Sequence, residues 1–338
     1  MKFLITGGAG FIGVHTARHF AQASSVHIVD NLSRRGTQAN LDWLKSEAKF
    51  SFAQVDIRDV TRLEEEVAKF KPDVVIHLAA QVAVTTSVQD PRTDFEINAL
   101  GTFNVLEAVR KHAPGAMVLY SSTNKVYGGM EEVRVELAGD RYRYADLPFG
   151  VPETYPLDFH SPYGCSKGAA DQYVRDYGRI YEFPTVVFRQ SCIYGTRQFG
   201  VEDQGWIAWF TIASTLGRPI TVYGDGKQVR DVLWVDDLVA AFSLAVDKID
   251  SVRGEVFNMG GGPQRQLSLL ETFDQLGMMS GTKVPYTFAD WRPGDQKVFV
   301  ADTRKAEKAL GWSAQVDPVE GVKRLSRWVQ ENKALFTV

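Results

Sequence analysis

Residues 6–13 read TGGAGFIG. Gly7, Gly10 and Gly13 fall in the pattern G-x-x-G-x-x-G, directly after the β-rich run KFLIT (2–6) and at the opening of a helix-like segment near 11–22. Glycines at that spacing allow a tight strand-to-helix turn and a close approach of backbone N–H groups to an anion, and the helix N-terminus adds a positive dipole end. The ligand that suits such a turn is the pyrophosphate of a dinucleotide, and Phe11 and Ile12, inside the turn, share that expectation. The acid that should accompany the turn is Asp30, which ends the next β-rich run, VHIVD (26–30). A carboxylate there accepts hydrogen bonds from ribose hydroxyls and repels a 2′-phosphate, which points to NAD rather than NADP. Asn31 and Ser33 follow in the same loop and are placed with the cofactor. Arg34 and Arg35, next in line, are the residues that could hold a 2′-phosphate instead.

Outward from this turn the first half of the chain alternates. Runs at 50–56, 73–80, 116–122 and 184–190 are separated by helical patterns near 59–70, 92–112 and 163–182. That alternation predicts an α/β fold, a Rossmann-like doubly wound parallel sheet. Runs such as VVIHLAA are apolar throughout, as strands covered on both faces should be. Asp56 ends the third run and either meets the adenine amino group, with the Ile57 N–H assisting, or caps the helix that follows. Leu78, Ala79 and Ala80 end the fourth, where small side chains let a cofactor lie across the strand ends. After about residue 190 the texture changes to helices near 203–217, 236–248, 267–277 and 318–333 with short strands at 221–224 and 255–261. The expected organisation is a cofactor domain over 1–190, to which some later segments return, and a smaller, mostly helical C-terminal substrate lobe over 191–338. Residues 128–162 show no clear period and read as a lid or binding loop.

Composition narrows the function classes. Of 338 residues, 44% are hydrophobic and 23% charged, with a net charge of −3. No run of like charge suggests a nucleic-acid surface, and no apolar stretch reaches the roughly 20 residues of a membrane span. Two cysteines, Cys165 and Cys192, give no disulfide framework, so a reducing cytoplasm is the expected location. No cluster of His, Cys and carboxylates has metal-ligand spacing.

Two further stretches carry chemistry. SSTNKVYG (121–128) follows the fifth run, and SPYGCSKG (161–168) places Tyr163 and Lys167 four positions apart, on one face of a helix. At the carboxyl end of a parallel sheet both would face a nicotinamide. A nearby ammonium favours the phenolate over the phenol, whose ordinary pKa is about 10. A phenolate can take the proton of a sugar hydroxyl while hydride leaves the same carbon, and the Thr123 hydroxyl can share that proton.

This set resembles the extended short-chain dehydrogenase/reductases, the NAD-dependent nucleotide-sugar epimerases and dehydratases, along essentially the whole chain. VRDVLWVDD (229–237) and RPGDQKVFVADTRKAEKALGW (292–312) look like the family's C-terminal segments. The resemblance implies that Arg230 and Arg292 hold the substrate's diphosphate. It implies Tyr163, Lys167 and Thr123 as catalytic residues, with Lys167 also binding the nicotinamide ribose, and Asn98 as a support of the active-site helix. The family's 4,6-dehydratases carry an Asp-Glu pair where this chain has Asn124 and Lys125. Elimination therefore lacks its acid and base, and what remains needs only reversible hydride transfer. The stretches DNLSRRG (30–36), YSSTNKVYG (120–128) and VVFRQSCIYGTRQFGVEDQGW (186–206) resemble the family's CDP-sugar 2-epimerases in particular. Asn124, Lys125 and Gln204 are then expected at the substrate, with Trp206 beside it or packing its loop. The other readings are a UDP-sugar 4-epimerase, a nicotinamide-dependent reductase with exchangeable cofactor, and a non-catalytic dinucleotide sensor. The family also implies a dimer or tetramer, paired through helices near 92–112 and 163–182.

Overall fold

A computed structural model describes residues 1–292 and 295–336. Pro293 and Gly294, in the segment quoted from 292 to 312, lie outside the described residues. The chain begins with β1 (Lys2–Thr6), α1 (Phe11–Phe20), β2 (Ser25–Asp30), α2 (Thr37–Glu47), β3 (Ser51–Gln54), α3 (Val60–Phe70) and β4 (Val74–His77). It continues with α4 (Val84–Gln89), α5 (Pro91–Phe95), a π-helical turn at Glu96–Leu100, α6 (Gly101–His112) and β5 (Met117–Thr123). A hairpin follows, β6 (Val135–Ala138) and β7 (Arg141–Tyr144), then α7 (Ser161–Ile180) and β8 (Thr185–Gln190).

These elements form a seven-stranded sheet. Its order is completed by a late strand, since the chain goes on through β9 (Cys192–Tyr194), α8 (Trp206–Leu216), β10 (Thr221–Tyr223), β11 (Val229–Trp234), α9 (Val235–Asp247), α10 (Ile249–Val252) and β12 (Val256–Met259). The order is β12-β8-β5-β4-β1-β2-β3, all parallel. Strand order reverses between β1 and β4, the point where such sheets bind ligands. Side chains alternate across the sheet. Phe3, Ile5, Ile28, Ile76 and Leu119 enter one core with α1 and α9, while Leu4, Val29, Val75 and Val118 enter the other with α3, α6 and α7. Each such fully buried side chain is worth about 1.5–3 kcal/mol relative to exposure.

The remainder is β13 (Gln266–Ser268), α11 (Leu269–Ser280), β14 (Thr287–Ala289), β15 (Val298–Phe299), α12 (Arg304–Leu310) and α13 (Pro318–Glu331). A third core, with Phe210, Phe273, Trp234 and Leu325, joins α8, α11 and α13 in the C-terminal lobe. Short strands supplement these helices: β11 pairs with β9, β13 and β15, and β10 with β14. Helix starts are set by local chemistry. Asp59 caps α3, Asp90 followed by Pro91 opens α5, and Ser268 with Glu271 forms a capping box on α11.

The structure corrects the sequence reading in three places. Residues 128–162 are not structureless: VELAGDRYRY folds into the β6–β7 hairpin around Gly139, whose φ is +64°. Tyr144 Oη donates to the Val298 carbonyl (2.9 Å) and Tyr142 Oη to Asp225 (2.7 Å), so the hairpin is tied to the C-terminal lobe. Helix α2 was not expected, because its buried face, Thr37, Asn40, Leu41 and Leu44, has helical spacing but is half polar. The single helix expected near 92–112 is interrupted by the π turn around Asn98.

Candidate active site

One cavity of about 500 Å³ opens over the carboxyl ends of β1, β4, β5 and β8. Every residue expected at cofactor or substrate lines it, from Gly7, Gly10 and Gly13 through Thr123, Tyr163 and Lys167 to Gln204, Arg230 and Arg292. Cys165 is not in the lining; it is exposed.

The glycine turn is required sterically. A Cβ on Gly7, at φ +67°, would come 2.6 Å from the Ala79 N, and one on Gly13 would come 2.2 Å from the Gly7 carbonyl oxygen. Nothing larger than hydrogen fits either position, and the closeness leaves the helix N-terminus open to the cavity. Asp30 Oδ2 accepts the Ala9 N–H (3.0 Å) and Oδ1 the Leu32 N–H (2.8 Å). Burial nevertheless raises its pKa above the usual value. Each oxygen retains a lone pair for a hydroxyl donor. Asp56 differs: Arg58 and Asn31 occupy both of its oxygens, and the Arg58 side chain first of all holds its pKa at about 2. It does not cap α3, since Asp59 does, accepting the Arg62 N–H (3.1 Å).

The reacting end is built by β5 and α7. Helix α7 starts at Ser161, whose φ of +67° turns the chain and whose hydroxyl accepts the Gly164 N–H (3.2 Å). That turn delivers Tyr163 to the cavity, where Ser87 Oγ accepts its backbone N–H (3.1 Å) and the Thr123 side chain faces its phenol. Burial pushes the Tyr163 phenol up to about 12; the neighbouring Thr123 and the Arg34 charge pull it down, and the Asp94 charge pushes it further up. The pull expected from Lys167 is not among these influences. The Lys167 ammonium is committed elsewhere: Nζ donates to the Ser121 carbonyl (2.6 Å) and lies 4.3 Å from the Tyr120 ring centroid. Burial lowers Lys167 to about 7.

Asn98 contacts both backbone and side-chain groups. Its Oδ1 accepts the Gln81 N–H (2.9 Å) and its Nδ2 donates to the Gln81 carbonyl (3.1 Å), to Asp94 and to Ser166 of α7 (3.1 Å). The π turn aims its side chain at both the β4–α4 loop and α7.

At the far end Lys125 Nζ donates to Gln296 (3.4 Å), whose own amide donates to the Gly128 carbonyl (2.7 Å). Burial and then the Arg230 charge bring Lys125 down to about 8. The Arg292 guanidinium lies 3.7 Å from the Tyr223 ring centroid and 3.2 Å from Asp203. Arg34 donates to Gln204 (3.0 Å), so the loop after β2 meets the segment before α8 across the cavity mouth. Trp206 Nε1 donates to Cys192 Sγ (3.4 Å), and both line the cavity. Gln190, Ser191, Cys192 and Asp295 are lining residues that the motifs did not single out. The first three follow directly from their place at the end of β8, by the strand-end rule that located Asp30.

The chain's likeness to known proteins agrees with this geometry. The family model described as GDP-mannose 4,6-dehydratase matches residues 4–325. A CDP-paratose 2-epimerase of Salmonella typhi is 47% identical over 97% of this chain and 99% of its own length. A crystal structure of a Thermotoga maritima UDP-glucose 4-epimerase with UDP-glucose superposes with a TM-score of 0.85 at 32% identity, covering 98% of this chain and 100% of that one. A Thermus thermophilus UDP-glucose 4-epimerase in complex with NAD gives a TM-score of 0.80 at 31% identity, covering 98% and 100%.

Proposed function

The chain belongs to the GDP-mannose 4,6-dehydratase family, and on that premise we propose that it is an NAD-dependent isomerase that inverts carbon 2 of a CDP-linked sugar, the conversion of CDP-paratose to CDP-tyvelose. The observation that carries this reading is the 47% identity with a CDP-paratose 2-epimerase over nearly the full length. The amide and ammonium of Asn124 and Lys125 support it, standing where elimination of water would need carboxylates.

NAD, when bound, supplies the acceptor and then the donor of a hydride. Gly7, Gly10 and Gly13 suit its pyrophosphate and Asp30 its ribose, because the turn admits no Cβ and the carboxylate keeps free lone pairs. Tyr163 accepts the proton of the carbon-2 hydroxyl and returns it to the same oxygen after the keto sugar has turned its other face to the hydride. Thr123, which lines the cavity beside the phenol, shares that proton. Lys167 holds α7 against β5 and presents its charge to the nicotinamide ribose. Arg230 and Arg292 take the diphosphate. Gln204, Trp206, Arg230 and Arg292, which line the cavity from the C-terminal part of the chain, keep the 2-keto sugar in place while it turns. Net redox change is zero, so the cofactor stays bound through each turnover.

The reading includes a homodimer or homotetramer. Phe95, Leu100, Phe103, Tyr173 and Ile180 are exposed on the segment from α5 to α6 and on α7. Phe103 and Tyr173 touch edge to face at 5.8 Å, so these exposed rings form one patch.

A second reading, UDP-sugar 4-epimerisation, is favoured by the fit to the UDP-glucose complex. One experiment separates them. Purified protein is incubated with CDP-paratose in deuterated water without added cofactor, and the sugar is followed by proton NMR. Inversion at carbon 2 without deuterium there is the expected result. An untouched CDP-paratose beside a UDP-hexose converted at carbon 4 overturns the proposal in favour of the second reading. A requirement for added reduced cofactor would mean a reductase.

A further inference from the structure

Tyr163, Lys167 and Asp171 stand one helical turn apart and share a face of α7. Each meets one of three consecutive residues at the end of β5. Tyr163 faces Thr123, Lys167 Nζ donates to the Ser121 carbonyl (2.6 Å), and Ser122 Oγ donates to Asp171 Oδ2 (2.8 Å). Asp171 is fully buried and does not line the cavity. From the other side it is gripped by Arg189 of β8, the register partner of Ser122, with Nε 2.9 Å from Oδ2 and Nη2 3.1 Å from Oδ1. Arg189 in turn donates to Tyr127 Oη (3.1 Å), which donates to Asn258 Oδ1 of β12 (2.7 Å). A buried ion pair is weak evidence for stability, because desolvation offsets most of its attraction. Its location behind the reacting pair is the informative feature.

We propose that Asp171 is a positioning residue for the hydride chemistry: it locks the Tyr163–Lys167 face of α7 to the Ser121–Thr123 end of β5 and sets a carboxylate one helical turn from Lys167. The inference rests on the roles of Tyr163 and Lys167 proposed above. Lys167 is faced by Asp171 and, a turn back, Tyr163 on its own helix, by Asp94 from α5, by the Tyr120 ring and Ser121 carbonyl from β5, and by His77 from β4. Arg189 stands behind Asp171. Burial drives Lys167 toward the neutral amine; Asp171 is the first charge that opposes it and Asp94 the second. Asp94 is shared among Ser166, Gln81 and Asn98.

The test reads Lys167 itself. Trace acetic anhydride, which reaches Lys167 through the cavity it lines, acetylates only the neutral amine. The yield on the Lys167 peptide, followed by mass spectrometry from neutral to alkaline pH, gives the midpoint of its titration without any substrate. Asp171→Asn should move that midpoint down by about one unit, the size expected for losing a close opposite charge. The alkaline limb of turnover should move with it. Asp171→Asn leaves Arg189 without its counter-ion and can fail to fold. The double variant Asp171→Leu with Arg189→Met removes both members of the ion pair and so strands neither, an exchange that is often neutral for stability, and its midpoint should fall as well. A midpoint unmoved in the folded variant overturns the proposal, since a merely structural role would lower turnover without shifting it. Failure of the unaltered protein to epimerise any CDP-sugar would count against the functional reading alone, because the acetylation result stands without it.

Discussion

Replacing Tyr163 by Phe removes one oxygen from the cavity wall and little else. The Tyr163 backbone N–H keeps Ser87 Oγ (3.1 Å), and the Thr123 hydroxyl keeps Asn124 Oδ1 (3.3 Å) as an acceptor, so no buried donor is orphaned. Stability should change by no more than about 1 kcal/mol, the net worth of one hydrogen bond. Turnover should respond very differently. Burial holds the phenol at about 12, some two units above its ordinary value, which sets about 3 kcal/mol against ionisation. At neutral pH about one molecule in 10⁵ of the free protein then carries the phenolate, and the positive charge of the bound nicotinamide must raise that fraction. Phenylalanine offers no base at any charge. A positioned general base contributes about 10²–10⁴-fold, so the rate of CDP-paratose conversion should fall by at least about 100-fold with KM little changed. The assay is the initial rate by proton NMR, with bound NAD measured by absorbance after denaturation of the same sample. Near-normal turnover would remove Tyr163 from the role of base. A loss of rate that tracks loss of NAD or of folded protein would make it a structural residue instead.

Three other outcomes follow from the geometry. Gly13→Ala places a Cβ 2.2 Å from the Gly7 carbonyl oxygen, so the turn must open and NAD content should fall at least about tenfold; full occupancy would show that the turn does not hold the pyrophosphate. Arg292→Ala removes the guanidinium between Tyr223 and Asp203 and should raise KM about tenfold while kcat changes little, as for binding remote from the reacting carbon. An unchanged KM would exclude Arg292 from the diphosphate site. Phe103→Asp with Ile180→Asp puts charge on two exposed apolar positions and should halve the mass seen by light scattering without lowering stability; an unchanged mass would place the interface elsewhere or show that none exists.

Much of the fold was legible because it is written locally. The glycine turn and the apolar runs are short-range signals, and the rule that ligands gather at strand ends turned them into cavity-lining residues. Helix α2 escaped because Thr37 and Asn40 occupy half of its buried stripe, so its period is clear in burial and faint in hydropathy. The hairpin at 135–144 did carry a signal, alternation on either side of Gly139-Asp140, but the runs are short and half exposed. Asp171 and Arg189 could not be paired by pattern, since the helix and strand that carry them meet only after the chain has folded back.

The electrostatics of the site were the least legible part, and the reason is burial. Four-residue spacing puts Tyr163 and Lys167 on one helix face, and from that alone an ammonium lowering a phenol is the natural expectation. In the fold, desolvation acts on both groups in the direction of neutrality: the phenol rises to about 12 and the ammonium falls to about 7. A carbonyl at 2.6 Å takes the lysine, and Asp171, invisible to the motif, is the first charge that opposes its neutralisation, without overcoming burial. The free protein therefore holds its base protonated. On the proposed mechanism that is an advantage, because a cavity that ionises Tyr163 only when the cationic nicotinamide is present abstracts protons only when a hydride acceptor is there to complete the step.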